Sequence, residues 1–306
     1  MNTPFVSVIV PTYNREEDLV TTVRLLLNSE YPRDSWELII VDQTLKHAPE
    51  TLKYLLDLEK TTAPVVRWIR PPEVQFASLT KARNLGIANA SKAEILLFVD
   101  DDVEVKPEFI QSHVSGYENE KVGATVGRVL VPGGPRSAPE GAPVGRITWF
   151  GAFINNYERE QSGEAGNLIG CNFSVRKIAL LRAGLFDERF MGNALREDSD
   201  MAVRILGAGF TIYFVAEALA LHNQTASGGT RSQTDRIKWY YALFFNNFLF
   251  YHNWAKPWRV PFFVAHMWRP ILACAFWYGK GTPSALLTPW RGIRDGIQAS
   301  GMNKPQ

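Results

Sequence analysis

The chain has 306 residues, long enough to bury a sizeable core in one large domain or two modest ones. With 46% hydrophobic and 21% charged residues it is ordinary globular material, which excludes a disordered or fibrous protein. The net charge is only +2, but from Arg231 onward ten Lys and Arg face two Asp and Glu, a balance of +8. The first 230 residues carry −6, so the asymmetry points to an interaction surface near the C-terminus, with a membrane or a nucleic acid as candidate partner.

Phe5 to Val10 is β-branched and apolar and stops at Pro11, which predicts a first strand. It is too short for a secretory signal, and two cysteines make no disulfide framework, so a cytosolic setting is expected. Asn14-Arg15-Glu16-Glu17 has the form of a capping box, with Asn14 as cap and Leu19, Val23, Leu26 and Leu27 at helical spacing behind it. Trp36 to Val41 is a second buried strand ending in Asp42. A helix (Pro49 to Lys60), a strand (Val65 to Ile69) and a helix (Ser78 to Ala90) lead to Ile95-Leu96-Leu97-Phe98-Val99. That last run shows no alternation, as in a strand covered on both faces. The β-α-β series predicts a doubly wound, mostly parallel sheet. Such sheets bind ligands at their carboxyl ends, where Asp42 and Asp100 would meet.

Asp100-Asp101-Asp102 follows the fourth strand directly. Three adjacent carboxylates repel one another unless solvent or a cation compensates, so they are either a solvated acidic turn or part of a site for a divalent metal and a phosphate-bearing ligand. Beyond them Val122 to Val131, Ile147 to Ile154, Leu168 to Val175 and Phe210 to Val215 read as strands, and Pro132 to Gly145 as a mobile loop. Arg196-Glu197-Asp198-Ser199-Asp200 opens a helix that Gly207 and Gly209 end. Cys171 is expected to be a small buried residue, with no adjacent base to make it a nucleophile.

In this order, Val8-Ile9-Val10-Pro11-Thr12-Tyr13-Asn14, Asp42, Arg83-Asn84-Leu85-Gly86, the aspartate triplet, Gly170-Cys171-Asn172, Gly184 to Phe190 and Glu197-Asp198 resemble family-2 glycosyltransferases of the GT-A fold. The resemblance covers residues 5 to 222. It implies a GT-A-like catalytic domain over 1–227 and an aromatic, basic helical region over 228–306. It implies that Pro11, Thr12, Tyr13, Asn14 and Asp42 line the base and ribose pocket, that Arg83 and Asn84 help hold the nucleotide, and that Asp100 and Asp101 belong to the donor site. Asp100, Asp102 and His222 would hold Mg²⁺ or Mn²⁺, Asp198 would deprotonate the acceptor hydroxyl, and Asn172 would face the acceptor. The implied partners are a nucleoside diphosphate sugar and a glycan or lipid-linked acceptor in surface polysaccharide or glycolipid synthesis, with no nucleic acid.

Two rivals remain. A catalytically inactive scaffold that binds nucleotide sugar or polysaccharide would keep the fold without the chemistry. A processive polysaccharide synthase would carry Gln-x-x-Arg-Trp and membrane spans, whereas here Gln233-Thr234-Asp235-Arg236 is followed by Ile237-Lys238 before Trp239. From Arg231 six tryptophans stand among basic residues, and no apolar run reaches the roughly 20 residues of a span. These helices are expected either to lie on the cytoplasmic face of a membrane or to pack on the catalytic domain.

Overall fold

The computed structural model describes residues 3–60, 63–71, 77–225, 227–229, 235–255 and 257–301. Gln233 and Thr234 of the near-match motif lie outside the described residues. The first half alternates as expected: β1 (Val6–Thr12), α1 (Glu17–Leu27), β2 (Trp36–Asp42), α2 (Pro49–Leu58), β3 (Val65–Ile69), α3 (Leu79–Asn89) and β4 (Ile95–Val99). β1, β2 and β4 are buried along their whole length, because helices cover both faces of the sheet. Then come β5 (Val103–Val105), α4 (Phe109–Ser115), β6 (Val122–Leu130), β7 (Arg146–Ile147), β8 (Phe153–Ile154), β9 (Gly163–Ala165), β10 (Asn172–Arg176), α5 (Lys177–Ala183), α6 (Glu197–Gly207) and β11 (Thr211–His222). Four helices complete the chain: α7 (Arg236–Trp254), α8 (Val260–His266), α9 (Trp268–Leu272, continued in π-helical form over Ala273–Tyr278) and α10 (Pro283–Ser300).

The main sheet has the order β3-β2-β1-β4-β10-β6-β11-β5, with β9 added beside β11. Pairs among β1 to β4 are parallel, as is β6 with β11, while β10 runs antiparallel between β4 and β6. Gly86 lets α3 press onto β1, since a Cβ there would come within 2.5 Å of Ile9 Cγ2.

Several expectations are corrected. Asn14 does not cap the first helix: it takes a left-handed φ of 53°, which asparagine tolerates, and its amide donates to Thr44 Oγ1 at 2.8 Å. The chain turns there, and the helix starts at Glu17. Ile147 to Ile154 is not one strand but the two-stranded β7–β8 hairpin, folded back at Gly151 with φ +86°. Leu168 to Cys171 approaches the sheet as a loop before β10 begins. The strand predicted over Phe210 to Val215 runs on to His222, because β6, β9 and β5 all pair with it.

Two apolar clusters result. One is aliphatic and lies about the sheet. The other is aromatic, centred on Phe244, Phe248 and Leu249 of α7, and takes in Phe190 from the segment between α5 and α6. α7 and α10 pack closely, with Gly292 and Gly296 against the α7 backbone.

Candidate active site at the carboxyl edge of the sheet

Residues 100–102 form the turn between β4 and β5, and β5 pairs antiparallel with the end of β11, placing His222 opposite Val103. This register brings His222 to the aspartates, 120 residues away in sequence. His222 Nε2 lies 3.1 Å from Asp102 Oδ1 and 4.0 Å from Asp100 Oδ2. One ligand atom from each of Asp100, Asp102 and His222 falls within 4.8 Å of the others. Two carboxylate oxygens and one imidazole nitrogen suit Mg²⁺ or Mn²⁺ by charge and hardness, so the residues fit the expected ion.

Burial opposes a proton on His222, but Cys171, Asp102 and Asp100 outweigh it and push its pKa to about 11. Cys171 is buried with the His222 ring beside its thiol, so a base does lie next to it. Burial nevertheless raises its pKa against the pull of His222, which leaves the thiol unsuited to nucleophilic work.

Arg15, passed over in the sequence as part of a helix cap, is the chief cation of this edge. It is buried, donates from Nη2 to Asp102 Oδ2 at 2.9 Å, and lies 3.3 Å from Asp101 Oδ1 through Nε. Its Nη1 donates to Thr225 Oγ1 at 2.6 Å and to the Ser227 carbonyl. Thr225 also donates its backbone and hydroxyl protons to Asp102 Oδ2, both at 3.2 Å. The segment after β11 thus closes over the end of β1, and Gly229 N donates to the Tyr13 carbonyl at 2.7 Å. Only the left-handed turn at Asn14 lets Arg15 point inward.

Asp101 turns away from the other two aspartates. It accepts from Thr12 Oγ1 at 2.7 Å, and burial raises its pKa to about 7, with Arg15 opposing. Asp42 ends β2 as expected and is buried, accepting from Thr44 N at 2.8 Å, Trp68 Nε1 at 2.9 Å and His47 Nε2 at 2.6 Å. His47 spans from Asp42 to Glu16 Oε1 at 3.1 Å. A lone histidine five residues past a strand gave no periodic signal, so neither it nor Thr225 was legible in the sequence.

The donor-holding role implied for Arg83 and Asn84 meets a different geometry. Arg83 is fully buried among Phe98, Phe173 and Phe186 and ion-paired to Glu197. It donates to the Gly170 carbonyl at 2.7 Å and stands 3.7 Å from Asp100 Oδ1. Asn84 donates to the Phe186 carbonyl at 2.9 Å and accepts from Phe186 N at 3.0 Å. Both brace the floor of the site. Asn172 is corrected likewise: it is wholly buried, donating to the Arg128 and Ala218 carbonyls at 3.0 and 2.8 Å and accepting from His113 at 2.8 Å. It ties three strands together and faces no acceptor.

Asp198 sits half-buried in the first turn of α6. Its Oδ2 accepts from Gly170 N at 3.0 Å, and its Oδ1 from Ser199 N at 2.7 Å. Glu197 beside it is buried, and burial raises its pKa to about 7 against the pull of Arg83. Arg196, in a left-handed conformation with φ 81°, stacks its guanidinium 3.4 Å from the Phe153 ring centroid and donates to Asn247 Oδ1 at 3.0 Å. The aromatic helical layer therefore reaches the residue that opens the Asp198 helix.

A sheet with its acidic cluster at the carboxyl edge and a carboxylate at a nearby helix start defines a nucleotide-sugar-type site on a GT-A-like fold. Residues 7–183 match the sequence model of Glycosyl transferase family 2, and the chain belongs to that family. It is 23% identical over 228 residues to "Probable glycosyltransferase YdaM" of Bacillus subtilis, covering 71% of this chain and 50% of that one. It is 25% identical over 248 residues to "Amylovoran biosynthesis glycosyltransferase AmsB" of Erwinia amylovora, covering 78% and 75%. The solved structure described as GalNAc-T7 with UDP, GalNAc and Mn²⁺ superposes with a TM-score of 0.66 at 17% identity, covering 97% of this chain and 55% of that one. The chain thus spans about half the length of the first of these relatives.

Proposed function

We propose that the protein is an inverting, metal-dependent glycosyltransferase that moves a sugar from a nucleoside diphosphate to an acceptor hydroxyl in surface polysaccharide or glycolipid assembly. The carrying observation is the convergence of Asp100, Asp102 and His222 within 4.8 Å beside the braced start of α6. Pro11 to Asn14 and Asp42 would line the base and ribose pocket. A divalent cation bound at the cluster offsets the charge that develops on the leaving diphosphate. Asp198 takes the proton of the acceptor hydroxyl as its oxygen bonds to the anomeric carbon and the bond to the diphosphate breaks. Glu197, Arg83 and Gly170 fix the distance between that base and Asp100. The UDP and Mn²⁺ named with GalNAc-T7 favour the same ligand class here. The acceptor would be a glycan or a lipid-linked glycan, met at the cytoplasmic face of a membrane.

Isothermal titration of UDP, GDP, dTDP and CDP with and without Mn²⁺ tests the proposal. At least one nucleotide should bind more tightly in Mn²⁺, and Asp102→Ala should lose that gain while matching the wild type in EDTA. Equal affinities of both proteins in Mn²⁺ would remove Asp102 from the metal site.

A further inference from the structure

We propose that the outer face of α8 and α9, with the tryptophan that precedes α8 and the one midway along α10, is a lipid-binding surface. It would lie within the interface of an anionic bilayer. It deepens the peripheral position proposed above and rests on that position, not on the transfer chemistry.

The first observation is exposure. Trp277 is 83% exposed, Phe276 62%, Trp258 55%, Trp268 and Trp290 each 53%, and Phe262 46%. A surface helix of a soluble domain turns polar residues outward, but here both sides of the helices are apolar. Their inner side chains Phe263, Met267 and Cys274 are buried in the aromatic cluster. Among the outer ones, Phe262 meets the Trp149 ring at 5.4 Å and the Trp258 ring at 6.3 Å between centroids. An apolar surface of this extent marks an interaction site, and exposed tryptophan with tyrosine is the composition of a membrane interface.

The second observation is length. Among the described residues no single helix is long and apolar enough to cross a membrane, whereas Val260–His266 and Trp268–Tyr278 together have the composition of a span but bend by 57°. The second of these covers roughly 16 Å at helical rise, about half a hydrocarbon core. Bent in this way, the pair suits a shallow position in the interface.

The third observation is charge. From Arg236 to Arg294 there are eight Lys and Arg and no Asp or Glu. Arg259 lies 5.2 Å over the Trp258 ring and Arg269 5.2 Å over the Trp268 ring, so two of the cations accompany the exposed aromatics. A second copy docking through the same face would set like charges against one another. An anionic headgroup layer matches both the cations and the rings.

The experiment is co-sedimentation of the full chain, without donor or acceptor, with phosphatidylcholine vesicles that contain or lack phosphatidylglycerol. Binding should require the anionic lipid and weaken at high salt, since surface charge is screened within about 8–10 Å at moderate ionic strength. Tryptophan emission should be quenched by lipids brominated near the headgroup. The exposed double variant Phe276→Ser/Trp277→Ser should lose about tenfold or more in partitioning. Arg269→Gln alone should lose about fivefold. Nucleotide titration without lipid keeps the two questions apart, since both variants should bind nucleotide as the wild type does. Equal partitioning into both vesicle types, or into neither, overturns the proposal. So does a wild-type dimer in sedimentation equilibrium that Phe276→Ser/Trp277→Ser converts to monomer.

Discussion

Strands β1, β2 and β4 and helices α8 and α9 are both composed mainly of apolar residues, yet they spend them in opposite ways. In the strands every side chain is buried and aliphatic residues dominate, and apart from Glu37 near the start of β2 the carboxylates stand at or just past the strands' carboxyl ends. In the helices aromatic side chains are frequent, Phe262, Trp268, Phe276 and Trp277 are exposed, and cations replace the carboxylates. A sheet with helices on both faces has no outer side, so its apolar residues can only hold the fold together. A short helix packed by one face has an outer side, and its residues remain open to a partner. Helix α6, which carries Asp198, is ion-paired to Arg83 of α3 through Glu197, and Arg196 at its start is bonded to Asn247 of α7.

The largest expected effect falls on that helix. Asp198→Asn should keep donor affinity and lose transfer by about 10²- to 10⁴-fold, as for a missing general base. Wild-type turnover by the Asn variant at saturating substrates would return Asp198 to the role of a helix cap.

The comparison between the regions is tested next by paired substitutions. Phe98 is fully buried, with ring centroids 4.9 Å from Phe173 and 5.3 Å from Phe186, and Phe98→Ala should cost about 3–5 kcal/mol of stability. Trp277→Ser, at a larger and exposed ring, should change stability by no more than about 0.5 kcal/mol. Urea denaturation measures both, and a comparable loss for the two would show that Trp277 is packed against the protein after all.

A further test is a pH dependence confined to the sheet region. His113 is buried between Thr125 and Asn172, each 2.8 Å from a ring nitrogen. Burial pushes its pKa down to about 4 from 6.5, with the Asn172 bond opposing. Below pH 6.5 the unfolded chain takes up a proton that the folded chain refuses, so stability falls with acid through that interval, by about 3 kcal/mol in all. Denaturation of His113→Gln between pH 7 and pH 5 should show a shallower slope than the wild type. Identical slopes would mean that His113 titrates normally.

The sequence by itself determined the strands β1 to β4 and the carboxylates at their ends. Runs such as Ile95 to Val99, ending in carboxylates, can satisfy their apolar residues only inside a covered sheet, and Arg83 to Gly86 and Asp198 sit in spacing that the family resemblance reads directly. Local patterns could not decide what long-range pairing decides. β5 is three residues long and acquires its meaning from β11, whose pairing sets His222 beside Asp102. Asn14 has the chemistry of a helix cap and of a left-handed turn alike, and the pull of Asp101 and Asp102 on Arg15 selects the turn. Asn172, polar and next to a glycine-cysteine pair, looks like a binding residue until three strands close around it and take up its amide. Composition marked the C-terminal aromatics as unusual, but only the packing of α7 against α10 fixed which rings fill a core and which face outward, because a helix buries the side that its neighbours happen to cover.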